Sequence, residues 1–167
     1  MKRTYDEALS PEALLLDQYL FQYRKCLSRK KELEVRRKDI EWEFNHPLKG
    51  VSYDGMPHGS GENVGCAALS FRLDEIDTRI KEQMVKAAKV LTEIMDVIGF
   101  LPENSNERSI IEMRYIDRKN WVQICREEHL SKTPATRYWK KGLYTLLEFK
   151  KIQQIMAEYE NSMEETI

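Results

Sequence analysis

At 167 residues the chain has room for one ordinary domain, or for a compact unit with an elongated helical extension, and not for two full domains. Charged residues make up 33% and hydrophobic residues 41%, with both signs interspersed, which favours amphipathic helices over a sheet-rich core or a disordered chain. The formal net charge is −1, so binding to nucleic acid would have to come from a local basic cluster.

The first start signal is Ser10-Pro11-Glu12: an N-cap, a proline at the first helical position and an acid in the first turn. Leu16, Leu20, Tyr23, Leu27, Leu33, Ile40 and Phe44 then recur at helical steps, which predicts one helix from about Pro11 to Asn45, ended by His46-Pro47. Residues 47–65 hold five of the seven glycines and two prolines and read as a linker. A second long helix follows, with Phe71, Leu73, Ile76, Ile80, Ala87, Leu91, Ile94 and Ile98 on one side, and Arg72, Asp74, Glu75, Lys81, Glu82, Lys86 and Lys89 largely on the other. Leu73, Ile80, Ala87 and Ile94 lie seven apart, close to a heptad seam, and Gly99 supplies the stop. Two such helices make an antiparallel hairpin or coiled coil. The seam equally permits pairing between chains, as in a homodimer.

After Leu101-Pro102 three short helices are predicted. Asn104 with Glu107 has the spacing of a capping box, and Ile110, Ile111, Met113 and Tyr115 are the buried positions of the first. Asp117-Arg118-Lys119 reads as a turn. Asn120 with Gln123 repeats the capping box for a second helix, with Trp121, Ile124, Cys125 and Leu130 turned inward. Ser131 or Thr133 caps the third, for which Pro134 suits the first position, and its apolar part runs on through Leu146, Leu147 and Phe149. Between residues 132 and 151 the net charge is +5, so the basic cluster missing from the whole chain exists here. A short helix, a tight turn and a helix with small, hydroxyl and cationic residues at its start form the arrangement that presents side chains to a major groove. The expected architecture is therefore all-α: a long two-helix arm over 1–99, joined by a loop at about 46–65, then a helix-turn-helix domain with a C-terminal helix over 100–167.

The stretch Glu107–Leu146 resembles the C-terminal part of the RinA/ArpU-type phage transcriptional regulators, whose fold is similar to region four of sigma factors. The resemblance lies in Met113-Arg114-Tyr115-Ile116, in Asn120-Trp121 with Ile124, in Leu130-Ser131, and in Arg137 with Lys140-Lys141-Gly142-Leu143. Upstream, Tyr53-Asp54-Gly55-Met56-Pro57 between two helices is also similar to these regulators. The chain departs from them at Cys125 and Gly142, where they carry alanine, and at Pro134-Ala135, where a hydroxyl and a β-branched residue are common. The resemblance implies a regulator of phage late genes that binds double-stranded DNA in the cytoplasm of a bacterial host and touches RNA polymerase.

By chemistry, Arg137 is the residue to reach a guanine edge, since its planar fork can donate to both O6 and N7. Thr133 and Thr136 could meet a base edge or phosphate, and Lys132, Lys140 and Lys141 would neutralise phosphates, positioning the protein without reading sequence. Tyr138 and Trp139 are expected to pack. The basic residues of the first helix, from Arg24 to Lys38, read as a solvated surface.

Cys26, Cys66 and Cys125 are odd in number and far apart, against a disulfide framework. With His46, His58 and His129 they make no metal-ligand spacing, and neither a paired-carboxylate site, an activated nucleophile nor a phosphate loop stands in a suitable context. No enzyme activity, cofactor, metal or membrane span is expected. A protein-binding adaptor that engages a host protein is the other class of function, favoured by the acidic tail Glu158, Glu160, Glu164 and Glu165. A DNA-packaging subunit is a third, and predicts a ring-shaped oligomer.

Overall fold

The computed structural model describes residues 8–46 and 62–164, with side chains of the second stretch described from 67. Among the described residues all regular structure is helical: α1 (Pro11–Leu20), α2 (Gln22–Asn45), α3 (Glu62–Ile98), α4 (Asn106–Tyr115), α5 (Trp121–Glu127), α6 (Lys132–Leu147) and α7 (Lys150–Glu164). No helix among them is long and apolar enough to cross a membrane.

The start signals act as their chemistry requires. The Ser10 hydroxyl accepts the Ala13 N–H at 3.3 Å and opens α1. The single helix expected from Pro11 to Asn45 is instead two. The joint is slight: Phe21, at φ −74° and ψ −7°, stays in the right-handed helical region, its N–H bonding to the Asp17 carbonyl at 3.0 Å and its carbonyl accepting the Lys25 N–H at 3.1 Å, and its ring lies edge-on to Tyr115 at 5.1 Å. No glycine or proline marks the joint, so periodicity alone could not find it. The linker is shorter than its composition predicts, because α3 begins at Glu62 and takes in Gly65. Propagating a helix of 37 residues outweighs the roughly 1 kcal/mol that one glycine costs. The Tyr53–Pro57 segment lies outside the described residues.

The chain divides into two compact units, one of Met1–Lys25 with Ala88–Ile167 and one of Cys26–Ala87. In the first, Ala13, Leu16 and Leu20 of α1 are fully buried, as are Ile94, Ile110, Ile111, Ile124, Leu143, Leu146 and Ile152 from α3 to α7. Each large side chain among these contributes about 1.5–3 kcal/mol of burial. So α1, which the sequence assigns to the arm, is part of the core that carries α4–α7.

In the second unit α2 and α3 run antiparallel. Gln83 Nε2 donates to the Cys26 carbonyl at 3.2 Å, and Arg37 Nε donates to Asp77 Oδ1 at 2.6 Å. Leu33 and Ala87 are buried, while Ile40, Leu73, Ile76 and Ile80 are half-buried, as expected for a seam that only two helices close. Phe71 does not join the seam. It lies on the far side of α3 and is 69% exposed.

Candidate nucleic-acid interface

The tri-helical segment α4–α6 is built from short, well-stopped helices. The N-cap of α4 is Ser105 and not Asn104: its hydroxyl accepts the Arg108 N–H at 3.2 Å. Asn120 and Gln123 form the expected reciprocal capping box at the start of α5, both bonds at 2.9 Å. Two non-glycine residues turn the chain in the left-handed region, Arg118 at φ 60° after α4 and His129 at φ 53° after α5. His129 lets the Leu130 N–H return to the Cys125 carbonyl at 2.9 Å, which closes α5 in a Schellman motif.

The N-cap of α6 is Ser131, so Lys132 is its first residue and Pro134 its third, two positions deeper than expected. The proline is still tolerated, since the N–H it lacks has no partner within the helix at that position. The helix stops at Leu147, short of Phe149, and α7 starts from the Phe149 carbonyl, which accepts the Ile152 and Gln153 N–H groups.

The two sides of α6 differ sharply. Ala135, Trp139, Gly142, Leu143 and Leu146 are buried, whereas Thr133, Arg137 and Lys141 are exposed and Lys140 half-buried on the other side. Four of the six residues selected from the sequence thus share the outward half of the helix, while Lys132 and the half-buried Thr136 fall on the stripe of Trp139 and Leu143, Lys132 exposed there because it is the first residue of the helix. They are not equivalent. Lys141 Nζ donates to Glu107 Oε1 of α4, whose side chain is only 12% exposed, so this cation is tied to the protein's own carboxylate. The Thr136 hydroxyl donates to the Lys132 carbonyl at 2.8 Å and so offers a ligand only its lone pairs. Lys132 and Arg137 form no ion pair among the described residues.

What fixes the roll of α6, and so which side chains face out, is a buried polar chain that the sequence did not reveal. Trp139 Nε1–H donates to the Tyr115 hydroxyl at 2.9 Å, and that hydroxyl donates to Asp17 Oδ1 of α1. Burial, then the Asp17 charge, pushes the Tyr115 phenol well above its ordinary range, so it stays a donor. Around this chain the Arg114 guanidinium lies 4.6 Å from the Trp121 ring centre, 5.2 Å from Trp139 and 5.3 Å from Phe21. Its Nε is buried without a hydrogen-bond partner, so the rings hold the cation by their π-faces. Asp17 of α1 lies 98 residues from Tyr115, so no local pattern signals that α1 joins the three consecutive helices α4, α5 and α6 here.

Lys119 Nζ bridges Glu127 Oε2 at 2.6 Å and Asp117 Oδ2 at 3.3 Å, fastening the α4–α5 turn onto α5. The hydrogen bond to Glu127 raises the Lys119 pKa, so the bridge stays charged.

No family model, curated protein or solved structure matches this chain.

Proposed function

We propose that the protein is a sequence-specific transcriptional regulator that binds double-stranded DNA, with α4–α6 as its helix-turn-helix and α6 as the reading helix. The carrying observation is the division of α6 into a buried apolar side and an outward side holding Thr133, Arg137 and Lys140, with Lys132 exposed in the first turn. Such a face can enter a major groove, where Arg137 would donate to a guanine edge while Lys132 and Lys140 neutralise phosphates. The resemblance to RinA/ArpU-type regulators supports late genes of a phage as the target, the bacterial cytoplasm as the place, and RNA polymerase as a second partner. The exposed acids Glu158, Glu160 and Glu164 of α7 would suit a basic surface on that partner.

Titration with duplex fragments at graded salt tests the reading. Binding should weaken steeply with salt, and Arg137→Ala combined with Lys140→Ala should reduce affinity by about tenfold or more. Wild-type protein that ignores every duplex at low salt would reject it.

An adaptor that binds a host protein has one observation in its favour. Within the unit that holds α6, a groove of about 650 Å³ has Tyr19, Phe100 and Tyr159 in its wall and Glu93, Asp96 and Glu158 along it. Stoichiometric recovery of one host protein with duplex binding absent would favour this second reading.

A further inference from the structure

The groove of about 650 Å³ lies between α7 and the Ala88–Ile98 part of α3, within the unit that holds α6. Phe100, just beyond α3, packs on Phe149, just before α7, with ring centres 5.1 Å apart. Towards the other end of α7, Tyr159 packs edge-on to Tyr19 of α1 at 5.3 Å, where the charges of Glu93 and Asp96 also act. So α7 runs back along α3. The two helices line the groove at steps of three and four residues, from Lys89 to Phe100 on one side and from Lys151 to Ser162 on the other, about 16 Å in each case.

Val97 and Tyr19 are nearly covered, at 1% and 8% exposed, and with the half-buried Phe100, Ile155 and Tyr159 they make an apolar, largely aromatic floor. Glu93, Asp96 and Glu158 are exposed on the rims. The cations of the groove are already engaged with its own groups: Lys89 Nζ lies 3.9 Å from Glu93 Oε1, and Lys151 Nζ lies 5.7 Å from the Phe100 ring centre. Asp96 on one rim and Glu158 on the other have no ion-pair partner among the described residues. After burial, the Glu93 and Asp96 charges raise the Tyr19 phenol, so the negative field reaches the floor.

We propose that this groove seats an amphipathic helix of a protein partner, its apolar stripe against Tyr19, Val97 and Ile155 and its lysines or arginines, one flank each, against Asp96 and Glu158. An extended segment would find no main-chain partners there, because the backbone groups of α3 and α7 are spent within their own helices. A helix brings its backbone already satisfied and presents anchors at the same three- and four-residue steps that line the groove. Acidic flanks would set like charges together on both rims. The inference rests on the protein-partner side of the readings above. No groove residue belongs to α4, α5 or α6, so helix binding and duplex binding stand or fall separately.

Fluorescence anisotropy of a labelled helical peptide of about 14 residues, roughly 21 Å long, titrated with the full chain tests this. The peptide carries leucines at steps of three and four and lysines on both flanks. It should bind wild type, and Asp96→Lys with Glu158→Lys should weaken binding by about tenfold or more while helicity by circular dichroism holds. That variant should instead take up the same peptide with glutamates in place of its lysines. Glu82→Lys with Glu103→Lys reverses two exposed acids outside the groove, makes the same change in net charge, and should leave binding within about twofold. A wild type that does not bind, an equal loss in the two reversals, or equal binding of a peptide with serines for leucines would overturn the proposal. So would a wild-type dimer by light scattering that the Asp96 and Glu158 reversal dissolves, which would give the groove to a second copy. Absent peptide binding with duplex binding intact rejects the groove alone, and the converse rejects the reading helix alone.

Discussion

Gly142 sits where α6 passes closest to α4. A Cβ there would lie 2.5 Å from Ile111 Cδ1 and 3.3 Å from Glu107 Cβ, in a spot where Ile111 is already fully buried. Alanine should gain about 1 kcal/mol in helix propensity and lose about 1–3 kcal/mol to overpacking, for a net loss of about 1 kcal/mol. Adding Ile111→Val removes the clashing methyl, so a denaturant double-mutant cycle should show favourable coupling of about 1 kcal/mol.

Two buried tyrosines set the alkaline limit. Tyr19 is pushed from its ordinary 10.0 up to about 12, by burial first and then by Glu93 and Asp96, and Tyr115 is raised further by burial and Asp17. Below the unfolded value both states keep the phenolic proton and stability is unaffected. Above it the unfolded chain releases protons that the folded protein retains, so stability falls as pH rises through the folded value. Urea midpoints should be level up to about pH 10 and then decline, less steeply for Tyr19→Phe. Tyr115→Phe should cost about 1–3 kcal/mol even at neutral pH, because it leaves the buried Trp139 N–H without an acceptor.

Helix ends are where the elements of the candidate interface are defined, and there the sequence was partly readable. The Asn120–Gln123 box is local chemistry and emerged as expected, whereas Ser105 displaced Asn104 as a cap because capping depends on which residue the preceding turn delivers. Asn120→Ala should cost about 1 kcal/mol in thermal unfolding. His129→Gly should stabilise by about 0.5–1 kcal/mol, since only glycine takes the left-handed region without penalty. Along α6 the two kinds of lysine should separate. Lys132→Ala should reduce the salt slope of duplex binding by about 1 and leave stability unchanged. Lys141→Ala should lower the melting midpoint and change the slope little, because it strips the cation from the nearly covered Glu107 carboxylate. Exposure on a helix could be counted from periodicity. The partner that claims Lys141 lies 34 residues away and could not.

For the whole molecule, the division of the chain follows packing more than sequence order. Because Ala13, Leu16 and Leu20 are buried with α4–α7, a fragment beginning at residue 100 should lose cooperative unfolding, and Leu16→Ala should cost about 2–5 kcal/mol. Circular dichroism melts of the fragment and of the full-length variant check both.

The sequence by itself determined that the protein is helical, where most helices run, and that one of them carries a basic side and an apolar side, because period, caps and charge are properties of neighbouring residues. Tertiary structure alone decided that α1 belongs with the C-terminal helices, that Asp17, Tyr115 and Trp139 fix the roll of α6, and that Phe71 faces outward. Those outcomes depend on contacts between segments far apart along the chain, and no spacing within a segment encodes them.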